Sequence, residues 1–302
     1  MKNSTFATII LIITNILWGS SQVVTKILIE SVPPNVASFL RYGIAAVFLF
    51  LFVMITKRRK QLILNKTQFL YLSALGLIGI TFHSLFTNWG LYFSHASDSS
   101  IIIYSMIPFI TIMLAYFFLK ESLTNKQLVG LVLAFIGTIT FFSVIGFDNH
   151  FSYGRLFGDF LFLSTAICGA LYTLLSRNVL QKIDPLVVAT YTTLIGSFFL
   201  FLCSLPDINK VEFHELSLHF WFYLLYLSII VTTLANWFYL IGIQAIGAGR
   251  TSIFSYISPV SGVILSAWLL QDILTKIQFA ASIIIVFGVW LVNYFASDKE
   301  KA

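Results

Sequence analysis

The sequence predicts an all-α integral membrane protein of ten transmembrane helices, built as two inverted five-helix repeats. Three observations predict it. Of the 302 residues, 58% are hydrophobic and only 10% charged, whereas a soluble domain carries about 25% charged residues. The apolar residues fall in long runs with short polar connections, and Ser99–Leu119 and Gln127–Phe147 hold no Asp, Glu, Lys or Arg. Landmarks also recur when the chain is shifted by 151 residues.

A bilayer core of about 30 Å needs about 20 apolar residues of helix. Ten segments qualify: 6–29, 35–56, 68–93, 99–119, 127–147, 157–176, 185–205, 218–243, 251–271 and 277–296. The first is too long for a signal-peptide core, and no small-residue cleavage site follows it before soluble sequence. The second follows Pro33-Pro34 and carries Arg41; the third carries His83 and Asn88. The fourth and ninth hold internal prolines, Pro108 and Pro259, each preceded by a run of hydroxyls. The fifth and tenth hold small residues, Gly130, Ala134 and Gly137, then Ala281 and Gly288, which allow close helix approach within a monomer or across a homodimer. The longest polar connections are Lys57–Lys66, Asp148–Arg155 and Asp207–His219, which leaves nothing for a soluble domain.

Lys and Arg set the orientation. With the N-terminus in the cytoplasm, 13 of them lie inside and 4 outside, with Arg41 within a segment. That bias predicts both termini cytoplasmic, with the Lys57–Lys60 cluster as an orientation signal. The expected location is the cell (plasma or inner) membrane, with the lipid bilayer as partner.

At the 151-residue shift, Pro34 meets Pro185, Pro108 meets Pro259, Lys26 meets Arg177, Glu121 meets Asp272 and Gly137 meets Gly288. Leu123-Thr124 with Gln127 recurs as Leu274-Thr275 with Gln278, and Asn88-Trp89 recurs as Asn236-Trp237 with a slip of three. The halves are 1–147 and 148–302. Five helices is an odd number, so the second half is inverted relative to the first. Inverted repeats mark transporters, with the substrate near the midplane between them.

Other classes are disfavoured. The net charge of +6 sits in short clusters between apolar stretches, so nucleic acid is not an expected partner. Cys168 and Cys203 lie in apolar segments and form no disulfide framework. The sequons Asn3-Ser4-Thr5 and Asn65-Lys66-Thr67 fall on the cytoplasmic side and are read as chance. There is no ATP-binding Gly-x-x-x-x-Gly-Lys loop and no His-Glu-x-x-His zinc helix, so no cofactor and no metal are expected. Glu30, Asp98, Glu121, Asp159 and Asp272 all lie near segment ends, which argues against a carboxylate proton relay.

The candidate substrate-binding residues are polar or amphipathic side chains at depth: Trp18, Gln22, His83, Asn88, Tyr104, Tyr172, Trp237 and Tyr256. Aromatic faces stack on rings or cover cations. Tyr239 is a further flat wall. His83 is the one ionisable residue deep in its segment, with a ligand or proton role set against a neutral imidazole satisfied by a neighbouring helix. Pro108 and Pro259 each free the carbonyl four residues earlier, at Tyr104 and Ser255, which predicts a bendable cavity wall. Arg41 suits a carboxylate or phosphate, but its place near the segment start favours snorkelling or a pair with Glu30. Lys26 and Arg177 are expected as helix-end anchors ahead of any role as ligands.

Several motifs, in order along the chain, resemble the EamA-type ten-helix members of the drug/metabolite transporter superfamily. They are Trp18-Gly19 with Lys26, Pro33-Pro34 with Arg41, Ala96 to Pro108, Leu119-Lys120-Glu121-Ser122-Leu123-Thr124 with Gly130 and Gly137, Gly158-Asp159, Leu171-Tyr172, Ser176-Arg177, Pro259 and Leu270-Gln271-Asp272. The family's usual Gly-Glu is replaced by Gln271-Asp272. The resemblance implies transport of metabolites, often export. The expectation is therefore a secondary transporter of small organic metabolites, such as amino acids or related compounds, and not an enzyme. Alternatives are a multidrug or nucleobase efflux carrier, an intramembrane enzyme or a structural membrane protein.

Overall fold

The computed structural model describes residues 2–56, 62–94, 96–119, 124–143, 152–261 and 276–299. Among these residues all regular structure is helical. The helices are α1 (Lys2–Ser31), α2 (Pro34–Ile55), α3 (Lys66–Phe93), α4 (Ala96–Leu119), α5 (Asn125–Ser143), α6 (Tyr153–Val179), α7 (Pro185–Ile208) and α8 (Leu218–Ile246). Then α9 starts as Ala248–Ile253, tightens to a 3₁₀ turn at Phe254–Tyr256 and continues to residue 261, and α10 is Lys276–Lys299. Six of them are long and apolar enough to cross a membrane: α1, α2, α3, α6, α7 and α8. Shorter apolar stretches, Ile102–Phe118, Asn125–Thr140 and Phe279–Val292, lie in α4, α5 and α10. The outward faces carry Phe69, Phe117, Phe160, Phe222 and Phe279 exposed, as suits a hydrocarbon solvent. The chain is a multi-pass membrane protein.

Each segment read from the sequence falls on a helix, except that residues 144–147 and 262–271 lie outside the described residues. So do Lys57–Lys60, Glu121, Asn149, Gln271-Asp272 and the Leu274-Thr275 motif. Local chemistry explains the helix starts. Pro34 and Pro185 open α2 and α7 at the first helical position, where a missing N–H costs nothing. Asn65 accepts from Gln68 N at 2.8 Å while Gln68 Oε1 accepts from Asn65 N at 3.0 Å. The apparent Asn65 sequon is thus the capping box of α3. Thr124 and Gln127 reciprocate in the same way before α5.

The helices meet through small residues. α5 packs on α10 where Gly130 faces the Gly288 carbonyl and Gly137 faces the Ala281 carbonyl, each with no room for a Cβ. α3 packs on α6 where Phe162 lies on Gly90, and α1 packs on α8 where Leu11 lies on Gly242. Thr81 Oγ1 donates to Gly196 O at 3.1 Å, and Thr233 Oγ1 donates to Ala45 O at 3.4 Å. These contacts come in pairs whose members stand 151 or 152 residues apart along the chain. In this register Asn236 corresponds to Ser84, so the Asn88-Trp89 recurrence is a likeness of sequence and not of place.

Two irregularities matter for the site. α3 widens to a π-helix over Leu77–Phe82 and α8 over Tyr226–Leu234. In α8 the single Thr233 hydroxyl proton is shared between Ala45 O and the nearer carbonyl five residues back, Ser228 O, at 2.9 Å. The 3₁₀ turn of α9 lies just before Pro259, whose missing N–H frees the Ser255 carbonyl. Pro108 sits inside α4, which stays helical through it.

Candidate functional site

A cavity of about 120 Å³ opens between α1, α2, α3, α4, α6 and α8, with Ser255 of α9 at its wall. At about 30 Å³ per liquid water, that is room for about four waters. The π-helical turns supply part of the wall, through Gly79 and Ile80 on α3 and Val231 and Thr232 on α8. A π turn adds a residue to the helical circuit and shifts the face that follows it.

Six of the eight substrate-binding candidates line this space: Trp18, Gln22, His83, Asn88, Tyr104 and Tyr172. They are positioned by bonds between helices. Tyr104 Oη donates to Trp18 O at 2.7 Å and Gln22 Nε2 approaches Tyr104 Oη at 3.5 Å, which ties α4 to α1. Asn88 Nδ2 donates to Ser38 Oγ at 2.8 Å and reaches Pro34 O at 3.3 Å, which ties α3 to α2. Tyr172 packs against Gly79, where a Cβ would overlap its side chain. Trp18 stacks at a tilt on Tyr239, centroids 4.9 Å apart, and Tyr239 Oη shares a 3.0 Å bond with Thr173 Oγ1.

The other two candidates lie off the wall. Trp237 packs edge-on against Phe52 at 5.3 Å, within the larger apolar cluster. Tyr256 is fully buried and donates to Ser105 O at 3.4 Å, where α9 crosses α4. Its neighbour in sequence, Ser255, is the one that reaches the cavity.

The sequence expectation for Arg41 is corrected. Its guanidinium turns into the cavity, with Nε on Thr232 Oγ1 at 2.8 Å and Nη1 on Thr25 Oγ1 at 3.2 Å. It also lies over the Tyr42 ring at 5.4 Å. Glu30 is exposed and not its partner. Two hydroxyls, from α1 and α8, hold Arg41 on the cavity wall and away from Glu30. Lys26 behaves as an anchor: its ammonium donates to the Leu91 and Ser94 carbonyls, capping the negative end of α3. Beside it, Arg155 forks onto Asp98 at 2.8 and 3.2 Å, and Ser94 Oγ bridges Asp98 and Asp159. Arg177 lies in the last turn of α6.

Buried polar atoms in membrane proteins pair or cost free energy. Four wall residues carry such atoms with no hydrogen-bond partner among the described residues: His83 Nδ1, Tyr172 Oη, Asn236 Nδ2 and Ser255 Oγ. Tyr172 Oη faces Thr192 and Asn236 without reaching hydrogen-bond geometry. Tyr239, read from the sequence as a further flat wall, lines the cavity, and so does Asn236, which shares its helix face by i, i+3 spacing; Thr25 and Thr173 are wall residues that the sequence reading did not name. Asn15, also unforeseen, clasps α1 to α9 by accepting from Ser258 Oγ at 3.1 Å. Among the described residues the metal-ligand side chains Glu212, His214 and Glu215 converge between α7 and α8, fully on the surface and away from the cavity.

Comparison with known proteins agrees with this architecture. The sequence profile of the EamA-like transporter family matches residues 5–143 and again 156–294. The uncharacterized transporter YetK of Bacillus subtilis (strain 168) is 27% identical over 273 residues, 90% of this chain and 82% of that protein. A probable amino-acid metabolite efflux pump of Escherichia coli (strain K12) is 26% identical, covering 95% of this chain and 94% of its own. A solved crystal structure superposes with a TM-score of 0.79 at 17% identity, over 97% of this chain and 99% of the other, and shares its fold.

Proposed function

Since the chain belongs to the EamA-like transporter family, we propose that it is a secondary transporter, an exporter of small organic metabolites such as amino acids or related compounds, working by alternating access. The observation that carries this is the cavity: its wall comes from both halves of the chain, and its unpaired buried polar atoms are set among aromatic rings. The name of the Escherichia coli relative supports an outward direction for metabolites related to amino acids.

Ten crossings in two inverted repeats, 1–147 and 148–302, are part of the proposal. Its support is the paired contacts, Gly90–Phe162 with Gly242–Leu11 and Thr81–Gly196 with Thr233–Ala45, together with a family profile that matches twice. In an inverted repeat the two halves rock about the site between them. The deformable places are the π turns of α3 and α8 and the proline segments of α4 and α9, and all four helices contribute to the wall. Both termini lie in the cytoplasm, the membrane is the cell or inner membrane, and the partners are the substrate and lipid, for a monomer or homodimer. The chain acts as a permease and needs no cofactor.

Counterflow in proteoliposomes with a mixed metabolite pool, read by mass spectrometry, tests this. Exchange of a narrow set of small polar organics, recovered unchanged, is the expected result. A chemically altered product turns the assignment to an enzyme, and the absence of exchange for every metabolite removes transport.

A further inference from the structure

Among the described residues, Arg41 is the one permanently charged side chain on the cavity wall, and no Asp or Glu lines that wall. A cation at membrane depth is expensive unless paired or solvated. Among the described residues, the ion pairs of Arg155 with Asp98 and of Lys210 with Asp207 do not involve it. Its two hydrogen-bond acceptors, Thr25 and Thr232, are neutral hydroxyls. A guanidinium has five N–H donors. Two are used. That leaves both N–H groups of Nη2 and one of Nη1 free, enough to grip a carboxylate with two bonds. The Tyr42 ring under the guanidinium and the two threonines hold the fork in place without neutralising it.

Beside the unpaired polar atoms already described, the wall offers apolar surface. Trp18, Tyr172 and Tyr239 present rings, and Ile80, Ile103 and Ile107 present aliphatic surface. For an ammonium group the wall offers rings and neutral oxygens only. The charge balance therefore favours an anion over a zwitterion, and a zwitterion over a cation.

Resting on the transporter assignment above, we propose that the cavity selects substrates bearing a carboxylate on an aromatic or similarly apolar body, with Arg41 as the residue that binds the carboxylate. The acidic end of the substrate supplies the counter-charge that no described residue provides.

The test uses three probes with one skeleton and different charge: 3-phenylpropionate, phenylalanine and phenethylamine. Affinity is measured by calorimetry on purified wild-type protein, so the result does not depend on transport. We expect 3-phenylpropionate to bind at least 30-fold tighter than phenethylamine, with phenylalanine between them. Arg41→Gln should weaken 3-phenylpropionate at least tenfold and level the series. Arg41→Lys, which keeps the charge without the fork, should fall between the two. If Arg41→Gln does not fold, the wild-type series and Arg41→Lys decide. Equal or tighter binding of phenethylamine, binding of none of the three probes, or an Arg41→Lys protein indistinguishable from wild type overturns the proposal. If the charge order holds but no metabolite exchanges in proteoliposomes, the anion site stands and the transporter assignment fails. If exchange occurs with the charge order reversed, the transporter assignment stands and the anion site fails.

Discussion

Gly79→Ala tests whether the space against Tyr172 is part of the working cavity. A Cβ at position 79 would stand 2.1 Å from Tyr172 Cδ2, 2.5 Å from Cγ and 2.8 Å from Cβ. Carbon atoms settle at about 3.5–4.0 Å, so the ring must retreat by about 1.4 Å or more. Its free side is the cavity, which both residues line. Overpacking of this kind costs about 1–3 kcal/mol. Replacing a helical glycine by alanine returns about 1 kcal/mol, so the net loss is at most about 2 kcal/mol and the protein folds. Ligand affinity should fall at least tenfold, a loss of about 1.4 kcal/mol or more. The assay is thermal unfolding of purified protein beside counterflow normalised to folded protein. Adding Tyr172→Ala to Gly79→Ala should recover stability relative to the single variant, since the two positions touch. Wild-type exchange and affinity in a stably folded Gly79→Ala protein would refute the argument, because the ring would then have found room elsewhere.

Three further outcomes are expected. His83→Ala should cut transport while leaving folded yield nearly unchanged; substrate exchange that survives with the pH-gradient response lost assigns a proton role, joint loss assigns substrate binding, and lowered thermal stability with normal transport shows a purely structural imidazole. Gly247→Ala should lower stability by about 1–3 kcal/mol in a denaturation series, because Gly247 joins α8 to α9 at φ 88° and ψ 165°, backbone that only glycine adopts without strain; an unchanged midpoint contradicts this. With Cys168 and Cys203 replaced, Asn65→Cys should label only from the cytoplasm and Asn149→Cys only from outside; the loss of the Asn65 cap costs about 1 kcal/mol, too little to upset insertion, and the reverse labelling pattern overturns the orientation.

Part of the site was legible before any coordinates. Depth along a helix is a one-dimensional quantity, and counting from the segment ends put Gln22, His83, Tyr104 and Tyr172 at the level where the cavity lies. Rotation about the helix axis was not legible. Successive residues turn by about 100°, so Asn236 faces the cavity while Trp237 packs on Phe52. Ser255 and Tyr256 divide in the same way. In a soluble helix the apolar stripe gives the phase. Here lipid and core are both apolar, and that signal is weak.

By itself the sequence determined which stretches are helical, where several of them begin and that the chain belongs in a membrane. These follow from hydropathy, proline positions and capping residues such as Asn65 with Gln68, all of which act over a few residues. Only the tertiary structure decided where Arg41 points. Its position six residues into a helix allowed water, Glu30 or the interior, and the choice came from Thr25 on α1 and Thr232 on α8, brought beside it by packing. The tertiary structure likewise revealed the π turns of α3 and α8, which carry no local code in the sequence. Side chains far apart in the chain meet only after helices have docked, and the energy of their meeting is in neither segment alone.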